Sequence, residues 1–227
     1  MFDLFDNNII ISAQDRDFLY HPDRDRVAVI PNGVDLSFFS PREGERHHDL
    51  LFTGNMNYPP NIDSVLFLAR RVLPLVRRQR PGTSLLISGV DPSPQVKELA
   101  KLDPLISVSG WVKDIRDSYA NAKIFCAPMQ IGTGLQNKLL EAMAMRIPCI
   151  TSSLANNAVG APAGEAILIG NEPEEYAAHI LRLLSEPGER DRIAANGNRF
   201  VRSHFDWDQA ASRLETLVTA TTPVAPR

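Results

Sequence analysis

The sequence has few cysteines and no metal-binding pattern built from them. Only two of its 227 residues are cysteines, and each of these, Cys126 and Cys149, lies within a short apolar run. Their number excludes a disulfide framework, and no His or Cys spacing fits a metal site. Both are predicted to be small buried hydrophobic residues of a protein in a reducing compartment.

The sequence also lacks long apolar runs and a strong charge of either sign. No run approaches the roughly 18 apolar residues of a membrane helix, and the first 15 residues do not resemble a secretory signal. With 24 basic and 27 acidic residues the net charge is -3, so no nucleic-acid partner is predicted. We therefore expect a cytoplasmic protein. The sequence leaves peripheral contact with the inner membrane face open.

Strands and helices alternate through the middle of the chain. Several predicted strands are continuous apolar runs, which is typical of strands covered on both faces. This pattern predicts an α/β fold with a doubly wound, Rossmann-like parallel sheet. The predicted strands are residues 49–54, 83–89, 105–110, 123–128, 147–152 and 166–170.

Helical periodicity fills the intervals between strands and most of the chain after Gly170. A first helix is predicted at about residues 61–79, where Pro74 should end or kink it. Its apolar stripe is formed by Val65, Ala69, Val72, Leu73 and Val76. The predicted units are a domain remnant with a linker (1–44), the Rossmann-like domain (45–205), and a C-terminal helix with a disordered tail (206–227).

The segment from Pro128 to Ile150 combines a strand, a glycine turn, a helix and another strand. Gly132 and Gly134 would let the backbone turn tightly and approach a ligand. The helix N-terminus behind them would favour a phosphate by about 0.3–1 kcal/mol, or up to ~2 kcal/mol when partly buried. Lys138 could neutralise that phosphate, and Glu141, on the same helix face, could bind ribose hydroxyls. From spacing alone, a plain turn with a surface ion pair remains the alternative.

Four ordered stretches resemble the motifs of the large family 4 of glycosyltransferases, which have the GT-B fold. GTGLQNKLLEAMAMRIPCI is similar to the family signature, in which a glycine loop precedes LEAMA, a proline and a strand. Residues 29–41 resemble the linker between the family's two Rossmann-like domains. Residues 50–68 resemble the first strand and loop of the second domain, and residues 109–129 its base-binding loop. The resemblance covers about residues 29–205 and implies the C-terminal, nucleotide-sugar-binding domain.

The resemblance also implies roles for individual residues. Glu141 would hold the ribose, the glycine loop would approach the diphosphate and sugar, and residues 111–113 would frame the base. Gly54 and Asn55 would line the front of the diphosphate site, and Lys138 is our own candidate for its positive charge. The predicted donor-binding residues are Gly54, Asn55, Trp111, Val112, Lys113, Gly132, Thr133, Gly134, Leu135, Lys138 and Glu141.

Two departures from the family pattern concern the sugar and the diphosphate. Many members carry a glutamate eight residues before the LEAMA glutamate, and here that position is Thr133. Many also carry an arginine and a lysine after the first strand, where this chain has GNMNYPPNID without a basic residue. The glutamate with which many members hold the sugar hydroxyls is therefore missing here. Lys138 or an arginine from elsewhere in the enzyme would have to bind the diphosphate.

The function implied is that of a retaining hexosyltransferase in polysaccharide biosynthesis, with a nucleotide sugar as donor and no cofactor or obligatory metal. A sugar or lipid-linked acceptor would bind mainly to the absent first domain, so the chain should be incomplete alone. No catalytic residue is assigned. A homodimer through residues 1–40 stays open. The alternatives are a non-catalytic nucleotide-binding or scaffold module, a nucleotide-sugar epimerase of the same fold, and a dehydrogenase, which the missing G-x-G-x-x-G disfavours.

Two further patterns have plain structural interpretations. The sequence Asp-Arg-Asp occurs at 15–17 and at 23–25, and a D-x-D motif binds a metal in the other glycosyltransferase fold, GT-A. Because the rest of the chain fits GT-B, we expect charged surface here. Phe38 and Phe39 follow the linker motif, so we expect them to pack between domains rather than to form an exposed patch.

Overall fold

A computed structural model describes residues 4–132 and 134–220, so Thr133 and the predicted disordered tail lie outside the described residues. The N-terminal part holds two short parallel strands, β1 (Ile9–Ile10) and β2 (Ala28–Val29). Between them lie helix α1 (Ala13–Asp17) and a 3-10 turn (Arg24–Arg26). Ser12 caps α1 by accepting a hydrogen bond from the backbone N–H of Asp15, at 3.0 Å.

The main unit contains a six-stranded sheet in which every neighbouring pair is parallel. The strands are β3 (His48–Thr53), β4 (Leu85–Ser88), β5 (Ile106–Gly110), β6 (Ala122–Ala127), β7 (Cys149–Thr151) and β8 (Leu168–Ile169). Their order is β5-β4-β3-β6-β7-β8. The four residues of β4 and the last four of β3 are buried, as expected for strands covered on both faces. The predicted parallel α/β sheet and its six strands are confirmed.

Helices connect the successive strands of the main unit, and three further helices follow β8. They are α2 (Pro59–Phe67), α3 (Leu73–Arg77), α4 (Pro94–Leu102), α5 (Ile115–Ala120), α6 (Asn137–Ala144), α7 (Ser153–Val159), α8 (Pro173–Ser185), α9 (Pro187–His204) and α10 (Trp207–Thr219). The predicted apolar stripe of the first helix is buried along its whole length. Cys126 and Cys149 are free thiols, and both are buried as predicted.

Pro74 does not end the first helix. The chain stays helical from α2 to α3 through a π-helical turn at Leu68–Val72, which ends two residues before the proline. Proline lacks an N–H, and its ring crowds the carbonyl four residues earlier, which here belongs to Arg70 in that turn. The wider π turn accommodates the missing hydrogen bond, so the helix continues past Pro74. The sequence predicts that Pro74 either ends or kinks the helix.

The strand order creates a topological switch point between β3 and β6. The chain moves outward from β3 through β4 to β5, then returns to the other side of β3 and moves outward again through β6, β7 and β8. The loops at the carboxyl ends of β3 and β6 therefore diverge and leave a crevice between them. In open α/β sheets this crevice is the usual place for a ligand.

The linker residues Gly33 and Val34 contact the chain where α9 ends and α10 begins. The backbone N–H of Val34 donates to the carbonyl of Phe205 at 2.8 Å. A Cβ atom on Gly33 would lie 2.6 Å from the backbone nitrogen of Trp207, so only glycine permits this approach. Of the two linker phenylalanines, Phe39 packs against the main core, and Phe38 lies under the guanidinium of Arg116. The proposed domain boundaries themselves stay a prediction.

Candidate functional site

An open cleft of about 450 Å³ occupies the switch point at the carboxyl ends of the strands. The loops after β3 and β4, the first residue of α5 and the beginning of α6 form its walls. The lining residues are Thr53, Gly54, Asn55, Asn61, Gly89, Val90, Ile115, Leu135, Asn137, Lys138 and Glu141. Among these, Lys138 is the one cation and Glu141 the one carboxylate, so the cleft combines opposite charges with hydroxyl, amide and apolar groups.

The glycine loop has the backbone conformation that its sequence predicts. Gly132 and Gly134 have φ values of 99° and 87°, in the region that side chains with a Cβ rarely adopt. Helix α6 begins behind the loop at Asn137, and the side chain of its N-cap residue, Gln136, makes no capping hydrogen bond. The first-turn N–H groups of a helix have no partner within the helix, so this N-terminus can donate to an anion.

Lys138 lies in the cleft wall and is held by uncharged groups. Its ammonium donates a hydrogen bond to Oδ1 of Asn61 and lies 4.7 Å from the centroid of the Phe52 ring. Asn61 in turn donates to the carbonyl of Asn55 at 2.9 Å, which joins Lys138 to the loop after β3. Burial lowers the pKa of Lys138 to about 8, although the nearby Glu141 raises it. Lys138 therefore carries a charge near neutral pH that an anionic ligand would stabilise.

Glu141 is anchored from the other side by α5 and β3. Its Oε2 accepts a hydrogen bond of 2.7 Å from the hydroxyl of Tyr119, which lies 2.8 Å from Oγ1 of Thr53. Burial raises the pKa of Glu141, and the hydrogen bond from Tyr119 and the charge of Lys138 oppose that rise. Glu141 and Lys138 thus bond to different partners, and neither is part of an exposed surface ion pair.

The structure brings together five of the predicted site residues in the cleft wall, namely Gly54, Asn55, Leu135, Lys138 and Glu141. Gly132 and Gly134 lie in the adjacent loop and do not line the cleft. The segment Trp111 to Lys113 follows β5 outside the wall, and the Trp111 side chain is 70% exposed. Thr133 lies outside the described residues.

Sequence reasoning missed three polar residues that support the site. Asn61 is 5% exposed, and Tyr119 and Thr53 are almost fully buried. All three form hydrogen bonds in or behind the cleft. A buried polar residue needs such a partner. The available signal was helical spacing, because Tyr119 lies one turn after Ile115, on the face that α5 turns to the sheet. The bonding partners themselves belong to distant parts of the chain.

The structure places the two Asp-Arg-Asp sequences away from any metal-ligand cluster. Asp15 accepts a hydrogen bond of 2.7 Å from Ser12 at the start of α1, and Asp25 lies at the surface. Within residues 4–132 and 134–220, no three His, Cys, Asp or Glu side chains come together as metal ligands. None of the helices in the same part of the chain is both long and apolar enough to cross a membrane.

A family model described as "Glycosyl transferases group 1" matches residues 47–186, which is more than half of the chain. The chain is 28% identical over 205 residues to an MMP alpha-(1->4)-mannosyltransferase of Mycolicibacterium hassiacum, covering 87% of this chain and 48% of that protein. It is 30% identical to a phosphatidyl-myo-inositol mannosyltransferase of Mycobacterium leprae, covering 84% and 54%. The chain thus spans about half the length of these curated relatives.

Solved structures share the fold at low sequence identity. The Anabaena protein HepE in complex with UDP and glucose matches with a TM-score of 0.77 and 15% identity, over 94% of this chain and 62% of that one. S. aureus TarM matches with a TM-score of 0.80 and 14% identity, over 96% and 45%. Identities this low show a common GT-B architecture and leave ligands to be argued from the residues of this chain.

Proposed function

The chain belongs to the glycosyl transferases group 1, and from that membership we propose that it is the donor-binding domain of a family 4, retaining hexosyltransferase. It would be the C-terminal of two domains and would bind a nucleotide-diphosphate sugar. The observation that carries the proposal is the cleft at the switch point, where an open helix N-terminus, a lysine and an anchored glutamate meet. The mannosyltransferases among its relatives support a hexose as the transferred sugar.

The diphosphate would lie between the glycine loop, the start of α6 and Lys138. Gly132 and Gly134 contribute no side chains to this loop, and the uncapped N–H groups of α6 point along a favourable helix dipole. During transfer, the bond between the anomeric carbon and the diphosphate oxygen breaks, and negative charge builds up on the departing diphosphate. Fixed N–H donors and the Lys138 ammonium would stabilise that charge without a metal ion.

The ribose would lie on Glu141, and the base on the apolar side of the cleft. Glu141 presents a carboxylate to the cleft, which is a common partner for ribose hydroxyls in nucleotide sites. Val90 and Ile115 form an apolar wall nearby. The segment Trp111 to Lys113 leads directly into α5, so a modest displacement of this loop would let its backbone frame the base, as the family resemblance implies.

A complete enzyme needs further groups beyond this chain. The relatives are about twice as long as the matched region, and an acceptor, either a sugar or a lipid-linked sugar, would bind to the other domain. The small β1–β2 sheet and α1 would belong to that domain. A general base would also come from there. The chain alone should therefore bind donor and transfer little sugar. Cytoplasmic location, with or without contact to the inner membrane face, remains part of the proposal.

A non-catalytic nucleotide-binding module is the second candidate. Lys138 is the one cation among the described residues that line the cleft, and Asn61, rather than a basic residue, follows β3. A site with so little positive charge could bind a nucleotide and support no transfer. The assembled two-domain protein would then bind a nucleotide sugar with ordinary affinity and release no diphosphate when an acceptor is present.

The test is a thermal-shift scan with UDP, GDP, ADP and their common sugar conjugates. A ligand at 100 times its Kd adds about 2.7 kcal/mol, which raises the Tm of a chain of this size by about 5–10 °C. We expect a shift for one base, lost in Glu141→Ala and retained in Glu174→Ala, a control on the exposed side of α8. A cooperatively melting protein that responds to none of these ligands would refute the donor-binding proposal.

A further inference from the structure

Tyr119 is a fully buried residue whose hydroxyl is directed at Glu141. Its ring is fixed by aromatic neighbours, with ring centroids 6.2 Å from Phe39 and 5.7 Å from Phe125. The ring therefore has little freedom, and the position of its oxygen is set by the core. This oxygen lies behind Glu141 and is itself not among the groups that line the cleft.

The direction of the hydrogen bonds follows from counting protons. A tyrosine hydroxyl carries one hydrogen. Because the ionised Glu141 can only accept, Tyr119 donates that hydrogen to Oε2, and Thr53 must donate its own to the tyrosine oxygen, at 2.8 Å. The result is a directed relay from β3 through α5 to α6. Oε2 is occupied by it, whereas Oε1 accepts no hydrogen bond within the part of the chain that the structure describes.

We propose that Tyr119 is a positioning residue that fixes the Glu141 carboxylate with Oε1 toward the cleft, and that it thereby makes the site selective for ribonucleotides over deoxyribonucleotides. The inference rests on the proposed donor-binding function, because it assumes that Glu141 meets the ribose. An oriented acceptor raises the affinity for a ligand with a hydroxyl, because the two form a hydrogen bond. A ligand without that hydroxyl leaves the acceptor unsatisfied and binds more weakly. Selectivity for ribose then depends on how firmly the carboxylate is held.

Two features explain why the carboxylate needs to be held. The first is Lys138, which lies on the same helix face and attracts Glu141, so that an unanchored carboxylate would turn toward the ammonium. The second is burial, which raises the pKa of Glu141 and is opposed by the hydrogen bond from Tyr119. Removing this bond would therefore both release the carboxylate and favour its neutral form.

The experiment compares Tyr119→Phe with a matched variant, Tyr176→Phe. Each removes one hydroxyl from a buried tyrosine, but the Tyr176 hydroxyl, in α8, has no hydrogen-bond partner in the described structure. Calorimetry would give the Kd of UDP, GDP and ADP and of their 2′,3′-dideoxy analogues for each protein. The readout is the ribose preference, defined as the ratio of the dideoxy Kd to the ribose Kd for the same base.

We expect Tyr119→Phe to weaken ribonucleotide binding by about 3- to 10-fold, the net effect of one ordinary hydrogen bond, because the Glu141 carboxylate is retained but held less firmly. Dideoxynucleotide binding should not change, so the ribose preference should fall by the same factor. Tyr176→Phe should retain the wild-type preference. A purely structural defect would instead weaken both ligand classes together, and that result would overturn the inference.

Glu141→Gln separates this inference from the proposed function. If the wild-type ribose preference is lost in Glu141→Gln but kept in Tyr119→Phe, Glu141 meets the ribose and the role of Tyr119 is refuted. If the wild-type protein binds nucleotide without a ribose preference, the inference fails and donor binding stands. If it binds no nucleotide, both proposals fail. Thr53→Val removes the donor to the tyrosine oxygen and should lower the preference by a smaller factor than Tyr119→Phe.

Discussion

Lys138 and Glu141 lie on one helix face, but each side chain is oriented by a different hydrogen-bond partner. They are less than one turn apart in α6, yet Lys138 bonds to Asn61 beside β3, while Glu141 bonds to Tyr119 from α5. The helix supplies their spacing and the neighbouring elements supply their orientation. A lysine next to an amide and an aromatic ring stays available to an external anion, because its ammonium donates no hydrogen bond to a carboxylate in the described residues.

We expect the affinity for UDP, GDP or ADP, whichever binds, to fall as pH rises from 7 to 9. The diphosphate is favoured by the charged ammonium, and the pKa of Lys138 is lowered to about 8 by burial. Below that pH the ammonium is retained. One unit above a pKa only about a tenth of the groups stay protonated, so the Kd should rise by up to about 10-fold.

The measurement is calorimetry across this pH range on wild type, Lys138→Met and Lys101→Met. Lys138→Met should bind more weakly at pH 7 and lose the pH dependence. Lys101, an exposed residue of α4 that pairs with Glu98, serves as the control and should behave like wild type. Unchanged diphosphate affinity in Lys138→Met would remove this lysine from the site.

Helix α6 carries Lys138 and Glu141, and its two ends differ in whether side chains bond to their backbone groups. At its C-terminal end, the side-chain amide of Asn198 from α9 donates to the carbonyls of Met143 and Ala144, at 3.1 and 2.8 Å. At its N-terminal end, the cap residue leaves the first N–H groups without a side-chain acceptor. Satisfying one end and leaving the other open is what an anion-binding helix requires.

Leu139→Ala should destabilise the fold through α6. Leu139 is fully buried in the main core, and truncating such a leucine costs about 2–5 kcal/mol, because it removes apolar contacts and leaves a cavity. Denaturant unfolding monitored by circular dichroism would measure the change. Leu102→Ala, at a leucine that is 74% exposed, should change the free energy of unfolding by less than about 0.5 kcal/mol. Equal effects at both positions would contradict the packing that the structure shows.

At the scale of the whole molecule, the strand order determines where a ligand can bind. The chain reverses direction between β3 and β6, which opens the crevice. The linker is joined to the unit by the hydrogen bond from Val34 to Phe205, between α9 and α10. The chain covers 45–54% of three curated relatives, so the crevice would face the other domain in a complete enzyme. An isolated chain should therefore bind donor more weakly than the two-domain protein.

Nucleotide affinity of the whole chain should not depend on magnesium. Among the described residues of the cleft wall, Glu141 is the one carboxylate, and Tyr119 already occupies one of its oxygens. Magnesium bound by proteins usually uses one or two carboxylates in addition to the phosphates, and the remaining oxygen of Glu141 would be taken by the ribose in the proposed site. Calorimetry with UDP, GDP and ADP, in EDTA and in excess magnesium chloride, would check this. A Kd that falls markedly with magnesium would contradict metal-free binding.

The sequence by itself determined the layered fold and the parts of the site that are local in the chain. Short apolar runs, several of them continuous, identified the six strands of the main sheet, because strands covered on both faces are apolar throughout. The glycine turn and the α6 face that carries Lys138 and Glu141 also followed from spacing, since both depend on residues only a few positions apart.

Only the tertiary structure decided what surrounds those residues. Thr53, Asn61 and Tyr119 lie between 22 and 77 positions from the residues to which they bond, and no local periodicity can pair them. Trp111 is a second case. The family resemblance implies that it frames the nucleotide base, whereas the structure leaves it exposed outside the cleft wall. Periodicity reports which face of an element is buried. The partner on that face, and with it the orientation and pKa of a functional group, is fixed when distant elements pack together.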